Sequence, residues 1–169
     1  MPQHAPESRQ PLTLPRIRPR IVVWKSKRQL LLYANDRIVR TYRIGLGFRP
    51  VGDKKRQGDG ATPEGTFYIF TKNPRSAYYL SLGISYPGVD DAQRGLRDKL
   101  IGTKEYSAIL RAQRRKTAPP QRTALGGDIF IHGNGSKRDW TLGCIALDNP
   151  DMKELFHAIP TGTPVEIHP

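Results

Sequence analysis

One cysteine, Cys144, stands in 169 residues, so the chain closes no internal disulfide and builds no cysteine-rich zinc site. Histidine is nearly as scarce. Of the four, His4, His157 and His168 show no ligand spacing with His132, so a His-rich metal site is not expected. Apolar residues make up 37% of the chain, and no apolar run approaches the ~18 residues of a membrane-spanning helix. No integral membrane segment is expected. The opening stretch MPQHAPESRQPLTLPRIRPR has prolines and arginines but no apolar centre, and as written it is not a secretory signal. Aromatic-interleaved basic strands, finger spacings and basic zippers are missing, so nucleic acid is not an expected partner.

Acidic residues are outnumbered, 15 against 28 Lys and Arg, for a net charge of +13 and a pI near 10.2. Such a surface suits an anionic polymer, a cell-wall polymer among them. The excess is uneven. From Asp139 onward the single base Lys153 faces Asp139, Asp148, Asp151, Glu154 and Glu166. The densest basic runs lie upstream, at Lys54–Arg56 and Arg111–Lys116.

Residues 1–19 read as an N-terminal arm rich in Pro, Gln and Arg, and residues 20–169 as one domain. RIVVWKSKRQLLLYANDRIVRTYRIGLG reads as three short strands, with Asn35–Asp36 as a hairpin turn. The charged, Gly- and Pro-bearing stretch Gly47–Phe67 is a long loop running into a strand, Gly65–Phe70. SAYYLSLGISYP alternates like a strand. Asp90–Leu100 is a short helix interrupted at Gly95, and Lys104–Arg115 an amphipathic helix with a basic outer face. DIFIHG is a strand ending at His132. In DNPDMKELFHAIP, Asn149 caps a helix that Pro150 opens, with Met152, Leu155, Phe156 and Ile159 as its buried stripe. GTPVEIHP closes the chain with a strand. About seven or more strands and one or two helices, without βαβ alternation, predict a mainly β domain, a sandwich or barrel with edge helices.

His132 ends a strand, and a mostly polar excursion returns the chain to Cys144. A free thiol is only a few per cent ionised at neutral pH. A nearby imidazole can take its proton, provided a third group orients the ring. Gly133 follows the histidine and Gly143 precedes the cysteine, so substrate and backbone N–H groups can approach closely. Two readings stand on residue chemistry alone: a catalytic pair, or a small buried thiol beside an ordinary polar histidine.

Pattern adds to chemistry. IHGNGSKRDWTLGCIAL, GDGATPEGTFYI, the opening hairpin and the closing GTPVEI together resemble the YkuD-type L,D-transpeptidase catalytic domain over Ile21–Ile167. The resemblance implies a β-sandwich or barrel-like fold and a cysteine enzyme acting on peptidoglycan stem peptides, without metal or organic cofactor. It implies Cys144 as nucleophile and His132 as general base, with the Gly133 carbonyl orienting the imidazole. The N–H groups of Gly143 and Cys144 would hold the oxyanion, and Thr141 would fix the loop. Many members carry His and Arg where this chain has Leu142 and Ala146, so carboxylate recognition falls to another base. Arg138 is a candidate by proximity, and Trp140 shares its loop. The implied reaction releases D-Ala from a tetrapeptide stem and forms a 3→3 cross-link, with carbapenems as expected acylating agents. A carboxypeptidase or wall hydrolase using the same pair is the alternative, and a non-catalytic basic module binding an anionic polymer is a third. The implied location is periplasmic or at the cell wall, and a monomer is expected.

Overall fold

Asn35 and Asp36 both adopt left-handed backbone, φ 48° and 65°, and turn the chain between two antiparallel strands. The computed structural model describes residues 11–12 and 18–169. In chain order it holds β1 (Pro19–Trp24), β2 (Gln29–Ala34), β3 (Arg37–Arg43), β4 (Gly65–Ser76), β5 (Tyr79–Ile84), α1 (Val89–Arg97) and α2 (Thr103–Arg115). There follow β6 (Phe130–His132), β7 (Ile145–Ala146), α3 (Asn149–Ala158) and β8 (Pro164–His168). The strands form one curled sheet of eight in the order β3-β2-β1-β8-β4-β5-β6-β7. Only β1–β8 and β6–β7 pair in parallel. The mainly β domain expected from the sequence is the one observed.

Burial explains the curl. Ile21, Val23, Leu30 and Leu32 from the first hairpin meet Ile69, Leu82, Ile131, Ile145 and Val165 in one core. Helix α3 lays Met152, Leu155 and Phe156 into it and packs on β5, while Gly45 bridges to Ala146 along the outer edge of β7. Ala92, Ile101, Ile109 and Leu125 make a smaller core under α1 and α2.

Four details differ from the sequence reading. Among the described residues three helices are present, where one or two were counted. Helix α1 runs through Gly95, because this glycine serves close approach: a Cβ there would lie 2.7 Å from Leu125 Cδ2. Asp148 occupies the cap position of α3, and Asn149 is already helical, its Oδ1 accepting the Asn134 N–H at 2.8 Å. Strand β4 extends past Phe70 to Ser76. The proposed arm over residues 1–19 falls largely outside the described residues; of its described part, Leu12 packs against the core and Pro19 opens β1.

The loop after β3 is held from within. Lys25, 2% exposed, donates from Nζ to Gly52 O at 2.6 Å and Thr62 O at 2.8 Å. Asp53 accepts the Glu64 N–H at 2.8 Å. At Gly47 a Cβ would lie 2.2 Å from Gly60 O and 3.0 Å from Gly143 Cα. Gly47→Ala is therefore expected to cost about 1–3 kcal/mol of stability by overpacking backbone on backbone. Urea unfolding measures it, and an unchanged midpoint would show that the loop steps aside freely.

Candidate active site

Parallel pairing of β6 with β7 sets His132 beside Ala146 and Ile131 beside Ile145. One step back in that register, Cys144 lies opposite Phe130, whose N–H donates to Sγ at 3.3 Å. Cys144 thus stands immediately before β7, beside the strand that ends in His132. Both line the same cleft of about 510 Å³. The chain's one thiol and the imidazole that ends β6 thus open onto a common space, with Cys144 only partly buried.

The ring is oriented by its own strand. His132 Nδ1 lies 2.7 Å from Gly133 O. A carbonyl can only accept, so Nδ1 carries the hydrogen and Nε2 keeps its lone pair. Gly133 is in turn fixed by its N–H to Tyr78 O at 2.9 Å, and a Cβ there would sit 2.4 Å from Asn149 Oδ1. That bond brings the β4–β5 turn over the imidazole: the Tyr78 ring stacks on His132 at 4.6 Å, and Trp140 meets its edge at 5.5 Å. His132 is 3% exposed, and burial lowers its pKa against the pull of the Gly133 carbonyl.

The sulfur is uncharged in this setting. Burial pushes the Cys144 thiol up to about 11, opposed by the Phe130 N–H and by the Lys54 charge. Sγ donates to Asp128 O at 3.3 Å. Burial thus works against the charged form of both groups, raising the thiol and lowering the imidazole.

Thr141 is 5% exposed and braces the turn: its Oγ1 donates to Cys144 O at 2.7 Å and accepts the Gly143 N–H at 3.2 Å. The Gly143 N–H is thereby occupied, whereas the Cys144 N–H has no hydrogen-bond partner among the described residues. Gly143 has φ 140° and its Cα faces Ala61 O, which a Cβ would meet at 2.8 Å. Arg28 closes on Asp139 (Nη2–Oδ2 2.8 Å), and Asp139 accepts the Leu46 N–H at 3.0 Å, tying the spacer loop to the first hairpin.

Not every residue singled out in the sequence reaches the cleft. Arg138 is exposed and lines a neighbouring cavity of about 540 Å³ with Lys137, Asn134 and Asp148; it is absent from the lining around Cys144. Trp140 lines both cavities, its Nε1 donating to Gly135 O at 3.0 Å. Leu142, 79% exposed, stands at the cleft, and Ala146 is fully buried in the sheet. Lys54 lines the cleft although its basic run reads as surface charge, and the Tyr78 contact was also missed. Neither carries a local signal: Lys54 arrives through the long loop after β3, and Tyr78 through the tight β4–β5 turn, whose position over His132 depends on the pairing of β5 with β6. Among the described residues no three His, Cys, Asp or Glu groups gather as a metal site.

Comparison with known proteins gives the family. The YkuD family, the L,D-transpeptidase catalytic domain, matches residues 18–167, and the chain belongs to that family. It is 31% identical to the L,D-transpeptidase homologue YkuD of Bacillus licheniformis over 169 residues, 97% of this chain and 72% of that protein. It is 27% identical to YafK of Escherichia coli over 146 residues, 82% of this chain and 46% of that protein. The fold is shared with the helical cell shape determining protein Pgp2 of Campylobacter jejuni (TM-score 0.60, 24% identity, 90% of this chain, 48% of that one). It is also shared with the L,D-transpeptidase LdtMt1 solved with imipenem (TM-score 0.52, 15% identity, 90% of this chain, 59% of that one). The chain spans about half the length of YafK and Pgp2.

Proposed function

We propose that the Cys144–His132 site performs acyl transfer on peptidoglycan stem tetrapeptides, as an L,D-transpeptidase. One observation carries the reading: an imidazole whose Nδ1–H is committed to Gly133 O presents Nε2 in the cleft that holds the only thiol. As Sγ attacks the carbonyl preceding the terminal D-Ala, its proton passes to Nε2. The oxyanion forms beside the free Cys144 N–H. On collapse the C–N bond breaks, the imidazolium returns its proton to the departing nitrogen, and D-Ala leaves from a thioester. The amine of a second stem then attacks the thioester, gives its proton to Nε2, and the C–S bond breaks as Sγ is reprotonated. The product is a 3→3 cross-link, and none of these steps calls for a metal or organic cofactor. Gly133, as carbonyl partner of the ring, Thr141, as brace of the turn, and Trp140, as wall of the imidazole, support the chemistry without reacting.

The exposed base run on α2, Arg111, Arg114, Arg115 and Lys116, suits contact with an anionic cell-wall polymer. Together with the substrate it argues for action in the periplasm or at the cell wall. No helix among the described residues is long and apolar enough to cross a membrane.

Intact-protein mass spectrometry tests the nucleophile. A carbapenem is expected to add its whole mass to the wild type as the β-lactam ring opens on Sγ, and to leave Cys144→Ala unlabelled. No wild-type adduct, or equal labelling of both, overturns the reading. Muropeptide separation after incubation with sacculi tests the acceptor: new dimers support transfer, and loss of tetrapeptides alone transfers the site to hydrolysis.

A further inference from the structure

Lys54 is the only cationic residue among those lining the Cys144 cleft, and it is buried to 2% exposure. An ammonium so far from water must be held by acceptors. Two are present: Asp59 Oδ1 at 2.8 Å and Arg56 O at 3.0 Å. An ammonium has three N–H donors, so one is uncommitted. Its stem packs close to Gly126, where a Cβ would lie 3.1 Å from Lys54 Cε, and the Tyr86 ring lies 6.0 Å from Nζ. The headgroup is therefore fixed before any ligand arrives.

The loop that carries it is equally fixed and touches the reacting end of the site. Asp59 also accepts the Lys55, Arg56 and Ala61 N–H groups, at 2.7, 3.1 and 3.2 Å. Ala61 O then abuts Gly143, the residue before the nucleophile. The exposed Asp128 is the other charged residue of the lining, and a preorganised positive charge among otherwise apolar or neutral groups is how a site selects an anionic group of a ligand. Arg138 lies in the neighbouring cavity, so it does not compete for that task.

We propose that Lys54 is a substrate-binding residue, receiving a carboxylate of the stem peptide through its uncommitted N–H. The proposal rests on the stem-peptide reading above. Two carboxylates of a tetrapeptide have the required chemistry: that of the terminal D-Ala, and that at the side-chain end of a diamino acid which has one.

Three synthetic tetrapeptides separate them: the free acid, the peptide amidated at D-Ala, and the peptide amidated at the side-chain carboxylate. D-Ala release is followed for wild type, Lys54→Met and Asp59→Asn. With the free acid, Lys54→Met is expected to lose about 10- to 100-fold in kcat/KM, mainly through KM, the scale of one charge-assisted hydrogen bond. The peptide amidated at the recognised carboxylate shows little further loss in the variant, which identifies the source. Asp59→Asn breaks the loop clip but keeps the ammonium, so it retains the preference for that free carboxylate. Equal losses on all three peptides by both variants would assign Lys54 a merely structural part and overturn the proposal, as would no loss at all. A wild type that turns over none of the peptides and takes no carbapenem would instead remove the stem-peptide reading, and Lys54's role with it.

Discussion

Replacing His132 by alanine is expected to lower the rate of acyl transfer by about 10³-fold, within the range that one positioned general base supplies. The reason lies in the thiol. At about 11 it is almost wholly protonated at neutral pH, so a group in the cleft must take its proton as attack proceeds. Nε2 keeps its lone pair for this, because Gly133 O holds the hydrogen on Nδ1. Burial between Tyr78 and Trp140 lowers the imidazole pKa, so the base stays unprotonated at neutral pH. Without it only the spontaneous thiolate reacts, and the variant's rate should climb about tenfold per pH unit from 7 to 9. The wild type should level off above the imidazole pKa. Steady-state rates across that range, with thermal melting to confirm folding, decide the matter. His132→Gln fills the space between the two rings and serves as the second variant. A loss under about tenfold in both would remove His132 from the role of base.

Much of this site was legible because its signals are local. His132 ends a strand that the apolar run before it announces, and Asn35–Asp36 announce their turn by tolerating left-handed backbone. Cys144 and His132 come together through one parallel strand pair, a step that a polar spacer between two short apolar runs already suggests. What escaped the sequence depends on contacts between distant segments. The sequence reading ends the strand at Phe70, yet β4 continues to Ser76 because β5 pairs along it. Gly95 reads as a helix breaker, but what it answers to is Leu125, thirty positions away. Lys54 sits in a charged run that any composition count assigns to solvent. Its burial follows from the Asp59 clip and from the way Gly126 lets its stem pass. Arg138 is the converse case: near Cys144 along the chain, it is turned to another cavity by the bend of the spacer.

Alkylation of Cys144 by iodoacetamide, in the absence of substrate, should rise by about tenfold per pH unit from pH 6 to 9 with no plateau, a span of about 1,000-fold. A thiolate–imidazolium pair would behave differently. Its rate would flatten across that range, because the sulfur would already be charged. The geometry opposes such a pair on two counts. Burial works against the charged form of both partners, raising the thiol and lowering the imidazole. The sulfur's hydrogen is also directed to Asp128 O, away from any base. The Phe130 N–H and the Lys54 charge pull the other way without prevailing. His132→Ala should then alkylate at nearly the wild-type rate at pH 9, since hydroxide supplies the base for this small reagent, while losing transfer activity. With one cysteine in the chain, a single mass shift reports the reaction without ambiguity. A flat profile would reverse the assignment of the resting charge.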